Sequence, residues 1–218
     1  MHARLLSFVQ PQVLESLVTE HNPLLQVVET NGKRRLDGLT VNYSRGSLER
    51  VLADAFDAFE LERRKVESVL LLGFGAGSAV TLLRRSHGKD VRFTAVEIDP
   101  AVVGIAKRWF GFEGDERVEF VVADACEYVR TCARTFDLVV VDVFVDERVP
   151  EGLHGVEFAR AVGRCVGVGG RLVFNTLADS AERMRESEAI ERGLRESLGG
   201  IERLEVRTNR VFGWERHS

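Results

Sequence analysis

The chain has 218 residues, 44% of them hydrophobic, with a formal net charge of −4 and a pI near 5.8. Its length suits one domain of ordinary size, and its apolar content excludes a disordered chain. The acidic balance argues against a protein that grips nucleic acid through a basic face, and no apolar run reaches the roughly 18 residues of a membrane span.

The opening "MHARLLSFVQPQVLE" has neither the long apolar centre nor the small-residue cleavage site of a signal peptide. "LLQVVETNGKRRLDGLTVN" places Asn31-Gly32 between two short alternating runs, which predicts a β-hairpin. Residues 1–45 are therefore read as a small β appendage, and 46–218 as the main domain. A helix capped by Ser47, "SLERVLADAFDAFEL", leads into it, and the basic run Arg63-Arg64-Lys65 is a solvated helix end.

From Val66 the pattern alternates. "ESVLLL" is a buried strand, followed by glycines and the helical "SAVTLLRRS". "DVRFTAVEI" is a strand ending at Glu97, then a helix with Asp99 as N-cap and Pro100 at its first position. "RVEFVVAD" is a third strand ending at Asp124, before the short helix "ACEYVRTCAR". "FDLVVVDVF" is a fourth strand carrying Asp142, "LHGVEFARAVGRCV" a helix, and "GGRLVFN" a fifth strand. A charged helix over Arg183 to Leu198 and a hairpin turning at Thr208-Asn209 close the chain. Near-continuous Val, Leu and Ile strands alternating with helices predict a Rossmann-like, doubly wound, mostly parallel seven-stranded sheet with a C-terminal antiparallel hairpin. In such sheets ligands bind beyond the strands' carboxyl ends, at the switch in strand order.

Three acids converge on that edge. Gly73, Gly75 and Gly77 follow the first strand, where absent side chains let the backbone turn and a ligand approach. The spacing is GxGxG; Ser78 holds the sixth position, where a dinucleotide fingerprint has glycine or alanine, which argues against an NAD-dependent oxidoreductase. Glu97 is placed to accept ribose hydroxyls and Asp124 an exocyclic amine such as adenine's. Asp142, after four apolar residues, is costly to bury without a partner. There is no GKS or GKT and no basic residue in the glycine turn, so an adenosine without pyrophosphate fits, S-adenosylmethionine being the prominent case.

The segment from Val66 to Asn175 resembles the class I S-adenosylmethionine-dependent methyltransferases, and within them the spermidine synthase-like branch. "AVEIDPAVVGIAKRWF", "ADACEYV", "FDLVVVDVF", "VPEGLHGVEFARAV" and "GGRLVFN" occur in that branch's order. Leu71 stands two residues before the first glycine, where most methyltransferases have an acid and spermidine synthases an apolar residue. The resemblance implies that Gly73, Gly75 and Gly77 line the cofactor's amino-acid end. It also implies that Glu97 with Ile98 holds the ribose, that Asp124 with Ala125 reads the adenine, and that Asp142 helps deprotonate an attacking amine. Tyr43 and Asp146 are the candidate substrate contacts.

Departures from the branch shift the expected chemistry. Ala76 replaces the acid of the glycine turn, Val145 replaces a second acid, with Asp146 one step beyond, and Asn42 is near where a glutamine is expected. Without an acid at position 76 to repel its carboxylate, intact S-adenosylmethionine is the expected donor and methyl transfer to a small molecule the expected reaction. The alternatives are aminopropyl transfer from decarboxylated S-adenosylmethionine, as in polyamine biosynthesis, and a non-catalytic nucleoside-binding module. No metal is expected, because Phe174 stands where a metal-assisted methyltransferase would carry an aspartate before Asn175. Among the histidines, His21 and His154 read as loop residues. Cys126, Cys132 and Cys165 form no CxxC pair, and their odd count points to a reducing, cytoplasmic setting. The expected partners are a small acceptor, an amine among the candidates, and a second copy of the chain; no nucleic acid or membrane is expected.

Overall fold

A computed structural model describes residues 6–38, 47–145 and 148–217. Strands β1 (Gln12–Leu17), β2 (Leu25–Thr30) and β3 (Lys33–Gly38) form an antiparallel sheet. The β2–β3 turn is the predicted one: Asn31 and Gly32 both have positive φ, 52° and 69°, as a two-residue hairpin turn requires. The third strand, β1, has no strong alternation and was not anticipated.

Helix α1 (Ser47–Ala58) leads into β4 (Ser68–Leu72), α2 (Ser78–His87), β5 (Arg92–Glu97), α3 (Pro100–Phe110) and β6 (Val118–Val122). Then come α4 (Ala125–Thr131), β7 (Phe136–Val141), α5 (Val156–Arg164), β8 (Val166–Leu177), α6 (Ala181–Leu198), β9 (Glu202–Val206) and β10 (Asn209–Glu215). The sheet order is β6-β5-β4-β7-β8-β10-β9, parallel from β6 to β8, with β10 antiparallel to both neighbours. The closing turn is Arg207–Thr208, one residue earlier than expected, and Arg207 has φ 55°. Arginine carries no composition signal for that conformation, which is why the position was misplaced.

Both sheet faces are buried, which explains the unbroken apolar strands. Val69 and Leu71 point into a core made with Leu52, Phe56 and Leu83 from α1 and α2. Leu70 and Leu72 point the other way, against Val129, Phe158 and Ile190 from α4, α5 and α6. Each such side chain contributes roughly 1.5–3 kcal/mol on burial. The small sheet packs on α3 through Leu25, Val27 and Leu36 against Val102 and Ile105. Trp109 packs against this cluster: Arg34 stacks on its ring at 5.2 Å and its indole N–H donates to Glu15.

The chain runs outward from β4 to β6, then returns to place β7 on the other side of β4. That reversal opens a crevice above the tips of β4, β5 and β7. No helix among the described residues is long and apolar enough to cross a membrane.

Candidate active site at the strand tips

The crevice holds a cavity of about 280 Å³ lined by Gly73, Gly75, Glu97, Ile98, Asp124, Ala125 and Asp142 among others. The structure thus gathers seven of the eight anticipated cofactor and catalytic residues. Tyr43, Asp146 and Asn42 lie outside the described residues.

Gly77 is the exception. Its φ of 77° starts α2, and a Cβ there would lie 2.3 Å from the Phe112 ring and 3.0 Å from Phe74. It is glycine because the Phe74–Phe112–Phe120 edge-to-face cluster, with centroids 4.8–6.3 Å apart, closes over it. Gly73 reaches the cavity, yet its constraint also comes from the protein. At φ 82° its missing Cβ would sit 2.3 Å from the Asp142 carbonyl oxygen. The Asp142 N–H donates to Leu72 O at 2.8 Å, so the tips of β4 and β7 approach too closely for a side chain.

Glu97 ends β5 and organises the turn. Its Oε2 accepts from the N–H groups of Phe74 at 3.1 Å and Gly75 at 3.4 Å, and its Oε1 from Asp99 N–H at 3.2 Å. Burial pushes its pKa up, opposed by those three donors, with the Asp99 charge adding to the rise. Oε1 keeps lone-pair capacity for a hydroxyl donor. Asp124 combines the structural and the anticipated arrangement: its Oδ1 caps α4 by accepting from Glu127 N–H at 3.0 Å, and the residue lines the cavity.

Asp142 follows β7 and accepts at Oδ1 from Asn175 Nδ2 at 2.9 Å. Burial pushes its pKa up to about 6, and the Asn175 hydrogen bond pulls the other way. A carboxylate poised there is mostly ionised at pH 7 and still able to take a proton.

Sequence reasoning missed the β1–β2 turn. Glu20, His21 and Asn22 line the cavity. Thr19 Oγ1 and Asn22 Nδ2 donate to Asp99 Oδ2 at 2.5 and 2.6 Å, and Asn22 N–H donates to Thr19 Oγ1 at 2.9 Å. Asp99 is 1% exposed, and its Oδ1 caps α3 through Ala101 N–H at 2.8 Å. The turn that carries His21 is therefore clamped to the loop after β5, 77 residues away from Asn22 in sequence. The dipeptide Asn22-Pro23 is a local turn signal and carries no information on where the turn docks. His154 stays at a loop, its Nε2 2.8 Å from Val149 O and away from this cavity.

The electrostatics are one-sided. Among the described lining residues are four carboxylates, Glu20, Glu97, Asp124 and Asp142, and no lysine or arginine. Ala76 does not face the cavity; it packs with Leu25, Leu36 and Val102 under the small sheet.

A family model described as "Methyltransferase domain" matches residues 69–168. A polyamine aminopropyltransferase of Thermoplasma volcanium is 34% identical over 120 residues, which are 53% of this chain and 43% of that protein. The chain spans about two fifths of the length of the aminopropyltransferases it matches. Among solved structures, a probable spermidine synthase from Corynebacterium glutamicum superposes with TM-score 0.75 at 18% identity, covering 94% of this chain and 80% of that one. Human methyltransferase-like protein 13 in complex with SAH gives 0.59 at 18% identity, covering 79% and 83%. At that identity the structural likenesses show the fold.

Proposed function

We propose that this chain, a spermidine synthase-like member of the class I S-adenosylmethionine-dependent methyltransferase superfamily, transfers an aminopropyl group from decarboxylated S-adenosylmethionine to an amine. The observation that carries this reading is Asp142, a carboxylate with raised pKa in a cavity with four acids and no lysine or arginine among its described lining residues. A decarboxylated donor bears only positive charges, and an amine acceptor is an ammonium in water; both suit such a lining. An intact donor brings a carboxylate for which the described lining offers no lysine or arginine.

Methyl transfer, the expectation from sequence, rested on Ala76 facing the donor. Ala76 packs away from the cavity, so its identity does not select the carboxylated form. The names of the polyamine aminopropyltransferases among the relatives favour the alternative.

In this reading Glu97 accepts the ribose hydroxyls, Ile98 flanks the nucleoside, and Asp124 with Ala125 reads the adenine. The donor supplies a carbon activated by an adjacent sulfonium: as nitrogen bonds to it, the carbon–sulfur electron pair leaves on sulfur. The protein's task is alignment, worth up to roughly 7–11 kcal/mol in favourable cases. It must also remove a proton. With an alkylammonium pKa near 10.4, about one acceptor molecule in 10³ is neutral at pH 7, a deficit of roughly 4–5 kcal/mol. Asp142 accepts that proton and releases it to solvent.

Incubation with decarboxylated S-adenosylmethionine and a panel of amines, followed by mass spectrometry, should yield methylthioadenosine and an aminopropylated amine. S-adenosylhomocysteine formed from the intact donor would instead assign methyl transfer, and no turnover with either would leave the non-catalytic module. Glu97→Ala is expected to weaken donor binding about 10- to 100-fold by calorimetry, the scale of a lost charged hydrogen bond. An unchanged Kd would remove Glu97 from the ribose.

A further inference from the structure

We infer that Asn175 and Asn209, with Thr208 behind them, form a directed hydrogen-bond chain that holds Asp142 in one orientation and favours its ionised form. The inference rests on the reading of Asp142 as the base. Thr208 Oγ1 donates to Asn209 Oδ1 at 3.2 Å, Asn209 Nδ2 to Asn175 Oδ1 at 3.0 Å, and Asn175 Nδ2 to Asp142 Oδ1 at 2.9 Å. Every donor points toward the carboxylate.

The direction is fixed by the ionised carboxylate, which can only accept, and is passed back from Asn175 to Asn209. If the Asn175 amide were flipped, its oxygen would face Asp142 and its NH₂ would face the NH₂ of Asn209. Asn175 is 0% exposed and Asn209 4%, so water cannot replace either partner. The sheet register makes the contact: Asn175 on β8 pairs with Val211 on β10, and Asn209, two residues back on β10, is its diagonal neighbour on the same face. The C-terminal hairpin thereby reaches the tip of β7 without lining the cavity. Asn175 and Asn209 are positioning residues in this arrangement, acting through Asp142.

The charged groups around Asp142 do not do this work. Glu97 at the tip of β5, Asp124 at the start of α4 and Glu20 on the β1–β2 turn are acids and supply no positive charge, and His21 shares that turn. On β10, Arg210 is engaged with Glu205 of β9. Among the described side chains, Asn175 is the one that donates to Asp142, and Asn209 orients it.

The test reads Asp142 directly, so it does not depend on turnover. The Asp142 carboxyl is titrated by ¹³C NMR in the wild type and in Asn209→Leu, where Asn175 loses its orienting partner. The double variant Asn175→Leu/Asn209→Leu removes the chain without orphaning an amide and serves if the single variant folds poorly. The titration midpoint should rise by about 1 pH unit in either variant, on the scale of one lost hydrogen bond to a carboxylate. The acid limb of kcat/KM should move with it, giving roughly 5-fold lower activity near pH 6 that recovers at alkaline pH. A midpoint unmoved in both variants overturns the inference. A midpoint that moves in an enzyme without aminopropyl transfer supports the chain and overturns only the function assigned to it.

Discussion

Asp142→Asn should lower turnover by about 10²–10⁴-fold, the usual contribution of a positioned base, and at the same time make the protein more stable at neutral pH. The second effect follows from linkage. The carboxyl's pKa is about 6 in the folded chain against an ordinary 3.8, because burial disfavours its charge. Between those values the folded state holds a proton that the unfolded state releases. The group's stabilising contribution is complete below about pH 4 and is lost as pH rises through 6. Above that, the fold carries a buried carboxylate at a cost of roughly 3 kcal/mol. Asparagine removes the charge and keeps an oxygen for Asn175 Nδ2. Thermal denaturation should give a melting temperature about 6–12 °C higher than wild type at pH 7.5, and no gain at pH 4. Equal melting temperatures at both pH values would show that Asp142 is not desolvated.

The second large effect belongs to Gly73. A Cβ at this position would meet the Asp142 carbonyl oxygen at 2.3 Å and its carbon at 2.8 Å, both backbone atoms that cannot rotate away. Its φ of 82° adds the strain of a left-handed backbone, about 1–2 kcal/mol for alanine. Gly111 has nearly the same φ, 83°, with nothing within 4 Å of a Cβ, so Gly111→Ala isolates that strain. Denaturant unfolding should show Gly73→Ala losing about 3 kcal/mol or more, well beyond Gly111→Ala. Its activity should fall further than its stability explains, because the clash displaces Asp142. Equal losses at the two glycines would mean that the tips of β4 and β7 are not pressed together. Gly77→Ala should fall between them, since the Phe112 ring it meets is a side chain with some freedom to shift.

The parallel sheet, the acids at three strand tips and the Asn31-Gly32 turn were legible in the sequence because each is a local pattern. A run such as "VLLL" records burial on both faces, and an acid that ends such a run marks the sheet's edge. What stayed hidden was long-range. Nothing near Thr19 or Asn22 tells that their partner is Asp99, so His21 read as a loop residue. Ala76 and Gly77 lie inside a ligand-binding motif, and the motif alone does not tell which of its residues turn toward the protein. Asn175 ends the predicted fifth strand, but its partner Asn209 emerges only from the antiparallel register of β10 on β8. Long-range docking and cross-strand diagonals depend on where segments meet, which one-dimensional periodicity does not encode.

Titrating the wild-type protein calorimetrically with decarboxylated and with intact S-adenosylmethionine tests most directly whether the acidic crevice is an aminopropyl-donor site. Tighter binding of the decarboxylated compound is the predicted result. Tighter binding of the carboxylated one would contradict the account and return the chain to methyl transfer.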